Sequence, residues 1–264
     1  MFKIIPKKNN VAVEINCDLN NLTKYQLKKI KSSLINYGLV YFRKQKLSSE
    51  NYLDFAKKFG ILASYPRLKG LSSKYPKITV VERKSSDKGP SFGEQFHTDS
   101  SYTKKPPRFT MLLSKKVPKK GIANTDFSSQ YLAFRDLPNK IKKKIKNLKA
   151  VFSSAGPISV TRLDRENEKG KEIKELNANH KIVKKINKKF TIYCSPGHFK
   201  KFLLNDNMYS KKIKKFLLKH QIKKKFQYSL EWEKNQLAIW DNRSMLHQAT
   251  PFKGKRIMHR ITVQ

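Results

Sequence analysis

LAIWDNRSMLHQATPFKGKRIMHRITVQ, residues 237–264, decides the fold. The apolar run at 237–240 reads as a buried strand that ends in a Trp-Asp-Asn turn. His247 follows, then a Gly-Lys turn, then a final alternating strand. Side chains alternate across a strand, so Arg256, Met258, Arg260 and Thr262 share one face and Ile257, His259, Ile261 and Val263 the other. Two arginines on one face are odd for a packed core, where an unpaired buried charge is costly. That face is either solvent or the wall of an anion-binding cavity. Four residues of strand span about 13 Å, so two guanidinium arms can serve different anionic groups in one pocket.

Working outward, more strand-like runs precede this one: ITVVER, FTMLLSKKV, AVFSS, FTIYCS, FQYSLEW and QLAIWD. They are β-branched or aromatic and bounded by Gly, Pro, Asn or Asp. Lysine-rich helices are expected near 139–149 and 210–222. The N-terminal region reads as mixed α/β. VAVEI is a strand; a helix with Leu27, Ile30 and Leu34 on one face stops at Gly38; GLVYFR is a strand. A second helix from Ser48 or Ser49 carries Tyr52, Phe55, Ala56 and Phe59 and ends at Gly60. Many spaced strands with few helices predict a mainly β protein with α insertions, a sandwich or barrel. Residues 84–95 and 155–178 are polar stretches, and the latter is a candidate lid.

The chain has 264 residues with 59 Lys+Arg and 19 Asp+Glu, a formal net charge of +40. That length suits one large domain. The charge rules out polyanion mimicry and favours non-specific attraction to nucleic acid or anionic lipid at low salt. Only ten of the basic residues are arginines, and base-edge recognition favours Arg. A surplus made of lysine and spread along the chain reads as a solvated coat. Cys17 and Cys194 are the only cysteines and have no metal-type spacing. The start MFKIIPKKNN lacks the apolar core of a signal peptide. No run approaches the roughly 20 apolar residues of a membrane span. A cytoplasmic, reduced protein without membrane insertion is expected.

Six histidines are present: 97, 180, 198, 220, 247 and 259. His97 lies in F-H-T-D. If 96–99 is extended, His97 and Asp99 point to one face. With one more imidazole from elsewhere they would make the two-His, one-carboxylate triad of non-haem Fe(II) oxygenases. His-x-Asp alone is weak, and taken by itself it is better read as a surface turn.

The combination is specific. FGEQFHTDSSYTKKPP, SKKVPKKGIANTDF, FQYSLEWEKNQLAIWDNRSMLHQATP and KRIMHRITV resemble the TauD/TfdA family of Fe(II)- and 2-oxoglutarate-dependent dioxygenases. The resemblance runs from about residue 38 to the end. It implies a double-stranded β-helix (jelly roll) core in a single domain, 1–264, with the α/β segment at residues 1–60 packing on it. It implies Fe(II) ligands His97, Asp99 and His247, and 2-oxoglutarate held by Thr125 and Arg256. It implies Arg260 and Tyr65 as substrate contacts. GIANTDF departs from the usual Gly-Gly-Asp-Thr, so Asp126 is the alternative to Thr125 if the register is off by one. Gly93 stands where the taurine-specific pattern has asparagine, and ILASYPRL lacks its sulfonate-binding histidine. Both departures count against taurine itself as the substrate. The remaining four histidines read as structural or surface residues.

The reaction implied is hydroxylation of a small, anionic substrate by O2, with release of succinate and CO2; Asp99 fills the position that halogenating relatives leave to halide. A betaine or amino-acid substrate is the alternative within this chemistry, and a nucleic-acid base is a remoter one. A homo-oligomer, dimer or tetramer, is common among such relatives. The rival of another class is a non-catalytic binder of nucleic acid or membrane surfaces, suggested by the basic amphipathic runs KIKKKIKNLK and KKIKKFLLKHQIKKKF.

Overall fold

The computed structural model describes residues 2–64, 70–159, 174–203 and 208–264. At the N-terminus, strands β1 (Lys3–Pro6) and β2 (Ala12–Asn16) pair antiparallel, and β2 runs parallel to β3 (Leu39–Phe42). Parallel neighbours need a crossover, which helix α1 (Lys24–Tyr37) supplies. Thr23 caps it. Its hydroxyl accepts from the Gln26 backbone N–H while the Gln26 side chain accepts from the Thr23 N–H, a reciprocal capping box. The helix stops at Gly38, whose φ is +84° and whose added Cβ would lie 2.6 Å from Met245 Sδ. Glycine is needed there both for the left-handed backbone and for the close approach. Helix α2 (Ser49–Lys57), capped by Ser48, buries Tyr52, Phe55 and Ala56.

The strands β4 (Leu62–Ala63), β5 (Thr79–Arg83) and β6 (Phe109–Lys116) come next, then β7 (Thr125–Ser129) and helices α3 (Gln130–Arg135) and α4 (Asn139–Ile145). β8 (Lys149–Ser153) and β9 (Asn177–Lys181) precede the hairpin of β10 (Val183–Ile186) and β11 (Lys189–Ile192). After β12 (Phe199–Phe202) and helix α5 (Met208–His220), the chain closes with β13 (Gln227–Leu230), β14 (Leu237–Asp241), β15 (Met245–Ala249) and β16 (Arg256–Val263).

The largest sheet has the order β1-β2-β3-β14-β6-β16-β4, with β5 also paired to β16. The N-terminal segment is thus built into the main sheet through β3 and β14. A second sheet, β13-β7-β15, is antiparallel throughout. A third, β12-β8-β9, carries the inserted hairpin region.

Alternation along the central strands sorts the core into layers. Leu237, Ile239, Ile261 and Val263 face α1 and α2 and pack with Ile30, Phe55 and Phe59. Ala238, Trp240 and Met258 face the other way, onto Phe127, Leu230 and Met245 of the second sheet. The two sheets therefore enclose an apolar layer with helices outside, as a jelly roll requires. A separate cluster joins α3, α4 and α5 to the third sheet through Ile145, Phe152, Ile192 and Leu217. No described helix is long and apolar enough to cross a membrane.

Candidate active site

His97 and His247 face one another across a two-residue antiparallel bridge. The His97 N–H donates to the His247 carbonyl at 3.0 Å, and the His247 N–H donates back at 2.9 Å. That exchange places both side chains on one face at close range. His247 belongs to β15, opposite Phe127 of β7. Its ring is flanked by Trp240 at 4.7 Å and Phe127 at 6.0 Å. Residues 96–99 are not a strand; the bridge at His97 leads directly into a turn at Asp99. Thr98 between them points away, its hydroxyl 3.2 Å from the carbonyls of Asn242 and Met245. His97 and Asp99 therefore still share a cavity, as an extended segment would have made them do.

The three side chains converge. Asp99 Oδ1 is 3.8 Å from Nε2 of His97 and 3.8 Å from Nε2 of His247. One ligand atom from each of the three lies within 4.8 Å of the others, and all three residues are buried. They are the only such cluster among the described residues. His97 Nδ1 is 2.7 Å from the Gln95 carbonyl. A carbonyl only accepts, so Nδ1 carries the proton and Nε2 keeps its lone pair. His247 is oriented by ring packing instead; its buried Nδ1 has no hydrogen-bond partner among the described residues. Burial lowers the pKa of both imidazoles, and the neighbouring His97 lowers that of His247 further. Burial alone would raise the Asp99 carboxyl. Arg260, the two imidazoles and the Thr110 hydroxyl outweigh it and hold Asp99 well below the usual carboxylate range. Two neutral imidazoles and an ionised carboxylate are the donor set of a divalent ion with open positions. Donors about 2.1 Å from such an ion stand up to about 4.2 Å apart, so the carboxylate–imidazole separations fit one.

The buried face of β16 lies beside these residues. Arg256, Met258 and Arg260 line the same cavity as His97, Asp99 and His247. Arg256 is 6% exposed. Its Nη1 donates to the Ala123 carbonyl at 3.3 Å, and its guanidinium lies 4.6 Å from the Phe252 ring. It forms no ion pair among the described residues, and burial pulls its pKa down to about 10, still charged at neutral pH. Arg260 is also buried, with Nη2 3.0 Å from Asp99 Oδ1. Thr125 lines the cavity, whereas Asp126 does not and accepts from Gln248 Nε2 at 3.3 Å. The Thr125 hydroxyl oxygen accepts from Trp232 Nε1 at 2.9 Å. The Thr125 O–H is thereby free to donate elsewhere.

Gly93 has a φ of +81°, and a Cβ there would come within 3.2 Å of His97 Cε1. A side chain at 93 would press on the imidazole. His198, read from sequence as structural or surface, is buried, with its ring edge-on to His97 at 6.0 Å and to Tyr102 at 5.0 Å. Its signal is spatial, because the bridge from Gly197 N–H to the Phe96 carbonyl brings two remote loops together. His180 and His220 bond to backbone carbonyls of Thr103 and Ala133. Tyr65 and residues 160–173 of the candidate lid lie outside the described residues. A roomier cavity, about 650 Å³, opens between α1, α3 and β11 around Tyr37, Tyr131 and Phe190, but it holds no metal-type cluster.

The model of the family "Taurine catabolism dioxygenase TauD, TfdA family" matches residues 4–262. The chain belongs to the TauD/TfdA family. This dioxygenase is an oxidoreductase that uses Fe(II) and 2-oxoglutarate. It is 23% identical over 267 residues to an alpha-ketoglutarate-dependent 2,4-dichlorophenoxyacetate dioxygenase of Burkholderia sp. (strain RASC), covering 91% of this chain and 86% of the relative. It is 24% identical over 247 residues to an alkylsulfatase of Acinetobacter baylyi (strain ATCC 33305 / BD413 / ADP1), covering 89% and 75%. The dioxygenase shares its fold with the crystal structure of a taurine dioxygenase from Burkholderia xenovorans. The TM-score is 0.82 at 20% identity, over 99% of this chain and 89% of that one. It likewise matches AAD-2 in complex with Mn(II) and N-oxalylglycine, with a TM-score of 0.80 at 20% identity over 100% and 97%.

Proposed function

We propose that this dioxygenase hydroxylates a small organic anion, such as a sulfonate, a carboxylate or a phosphonate, with release of succinate and CO2. His97, Asp99 and His247 hold the metal, Thr125 and Arg256 hold 2-oxoglutarate, and Arg260 receives the anionic group of the substrate. The observation that carries this reading is the pair of buried arginines on the cavity face of β16, beside the only metal-type cluster among the described residues. The named activities of the relatives agree with it, since dichlorophenoxyacetate and alkyl sulfates are organic anions.

Bound Fe(II) with 2-oxoglutarate supplies the oxidation: O2 is consumed, the keto acid loses CO2 to become succinate, and one substrate C–H becomes C–OH. The chain's own residues place the reactants. Arg256 is a buried cation with no described carboxylate partner, a state that costs several kcal/mol until an anion is present. The distal carboxylate of 2-oxoglutarate is such an anion, and the guanidinium fork meets it in a fixed plane. Thr125 adds one directed O–H. Arg260 keeps one nitrogen on Asp99, and its planar guanidinium lines the cavity where a substrate oxyanion would sit. Trp240 and Met258 form apolar wall around the reacting atoms and exclude water.

Succinate release measured across sulfonates, phosphonates, aryloxy acids and betaines tests the reading. Coupled turnover with one of the anionic classes is expected. Coupling to betaines alone would overturn the anionic assignment and leave the chemistry in place.

A further inference from the structure

Asp99 has two oxygens, and only Oδ1 faces the imidazoles. Oδ2 accepts from the Thr110 hydroxyl on β6 at 2.5 Å. Asn242 Nδ2 in turn donates to Thr110 Oγ1 at 2.8 Å, and Trp240 Nε1 donates to Asn242 Oδ1 at 3.0 Å. All four residues are buried. The direction of this chain is forced. An indole N–H can only donate, so the Asn242 oxygen must face Trp240. The amide NH2 then faces Thr110 and occupies a lone pair of its hydroxyl. The single hydroxyl proton is left for Asp99. The Asp99 backbone N–H, 3.4 Å from Asn242 Oδ1, supports the same amide orientation.

The turn that carries Asn242 is itself fixed. The Asn242 N–H donates to the Arg108 carbonyl at 2.9 Å, and Arg243 forms a two-pronged pair with buried Asp241 at 2.9 and 2.6 Å. Three residues further on, the same turn feeds β15 and His247. One rigid connection between β14 and β15 thus delivers an imidazole to the cluster and braces the carboxylate opposite it.

We infer that Thr110 is a positioning residue for the metal centre: with Asn242 and Trp240 behind it, its hydroxyl engages Asp99 Oδ2 and turns Oδ1, which Arg260 also touches at 3.0 Å, toward the imidazoles as the oxygen that binds the metal. The inference rests on Asp99 being a metal ligand. Outer contacts that orient a ligand typically tune metal affinity by roughly 10–100-fold. Thr110→Val keeps the shape and removes the hydroxyl; Thr110→Ser restores it on a smaller side chain.

The experiment is a Mn(II) titration of the metal-free wild type, Thr110→Val, Thr110→Ser and Asp99→Asn, with free Mn(II) read by electron paramagnetic resonance. The Tm of each metal-free protein is recorded alongside. The expected result is affinity lost in Asp99→Asn, weakened about 10–100-fold in Thr110→Val, and close to wild type in Thr110→Ser. Thr110→Ala gives the same reading should the valine variant not fold. Affinity lost in Asp99→Asn but unchanged in Thr110→Val overturns the bracing role and leaves the ligand set standing. Equal weakening in Thr110→Val and Thr110→Ser, matched by equal falls in Tm, also overturns it. Unchanged affinity in Asp99→Asn overturns the ligand assignment beneath it.

Discussion

Positive charge in the interior and positive charge on the surface follow different rules in this protein. Among the described residues, the buried cations are Arg256 and Arg260, and no lysine is buried. On α5, Lys211, Lys212, Lys215 and Lys219 are exposed while Ile213 and Leu217 are buried. That helix spends its apolar face on the third sheet and its lysines on water. Ammonium groups are strongly hydrated, whereas guanidinium is weakly hydrated and offers a planar fork. The net charge of +40 therefore measures the coat, whereas Asp99, Arg256 and Arg260 are interior charges that line one cavity beside the two imidazoles.

The comparison is open to attack at both ends. The largest effect is expected at Asp99: Asp99→Ala removes a proposed ligand and takes away the carboxylate beside buried Arg260. Metal affinity should fall by more than the roughly 10–100-fold typical of an outer contact. A Mn(II) titration close to wild type would break the interior half of the comparison. Arg256→Ala should weaken 2-oxoglutarate binding by roughly 2–4 kcal/mol, about 30- to 1,000-fold. Arg256→Lys should recover only a fraction of that, because a point charge lacks the fork; calorimetry with the non-reactive analogue N-oxalylglycine reads it out. At the surface, Lys211→Gln, Lys212→Gln and Lys215→Gln together should change kcat/KM by less than about twofold at physiological salt, where screening acts over about 8 Å. A larger loss that grows as salt is lowered would assign the coat a steering role.

The smallest effect concerns His259, on the opposite face of β16 from the arginines. Burial first, and Lys115 second, hold its pKa down to about 4 from an ordinary 6.5. The unfolded chain therefore takes up this proton first as pH falls. The stability that His259 permits is intact above pH 6.5 and declines between 6.5 and 4. His259→Gln should flatten the fall of Tm across that window; an unchanged slope would place the acid sensitivity in other groups.

What the sequence revealed was local and periodic. β16 spans residues 256–263 as its alternation required, and α1 and α2 stop beside Gly38 and near Gly60 where their apolar stripes end. β7 was harder to see. In TDFSS only Phe127 is apolar, yet all five residues are buried, and Ser128 is satisfied by the Gln221 carbonyl 93 positions away. β9 (NANHK) looks like polar coil because one face of it is solvent, and β12 (FKKF) because a register shift leaves Lys200 and Lys201 both exposed between buried phenylalanines. The candidate ligands were legible because His-x-Asp and the distant His247 fall in recognisable motifs. Thr110 was not, because it sits in FTMLLSKKV like any strand threonine. Its partners Asp99 and Asn242 lie 11 and 132 residues away, and no local pattern records such contacts.

Everything proposed for the site depends on His97, Asp99 and His247 jointly holding ferrous ion beside the Arg256 that would hold 2-oxoglutarate. Adding Fe(II) and 2-oxoglutarate to the protein without oxygen tests this directly. A weak visible charge-transfer absorption is expected in the wild type and none in His97→Ala. A wild type without the band, or a His97→Ala variant that retains it, would contradict this ligand set.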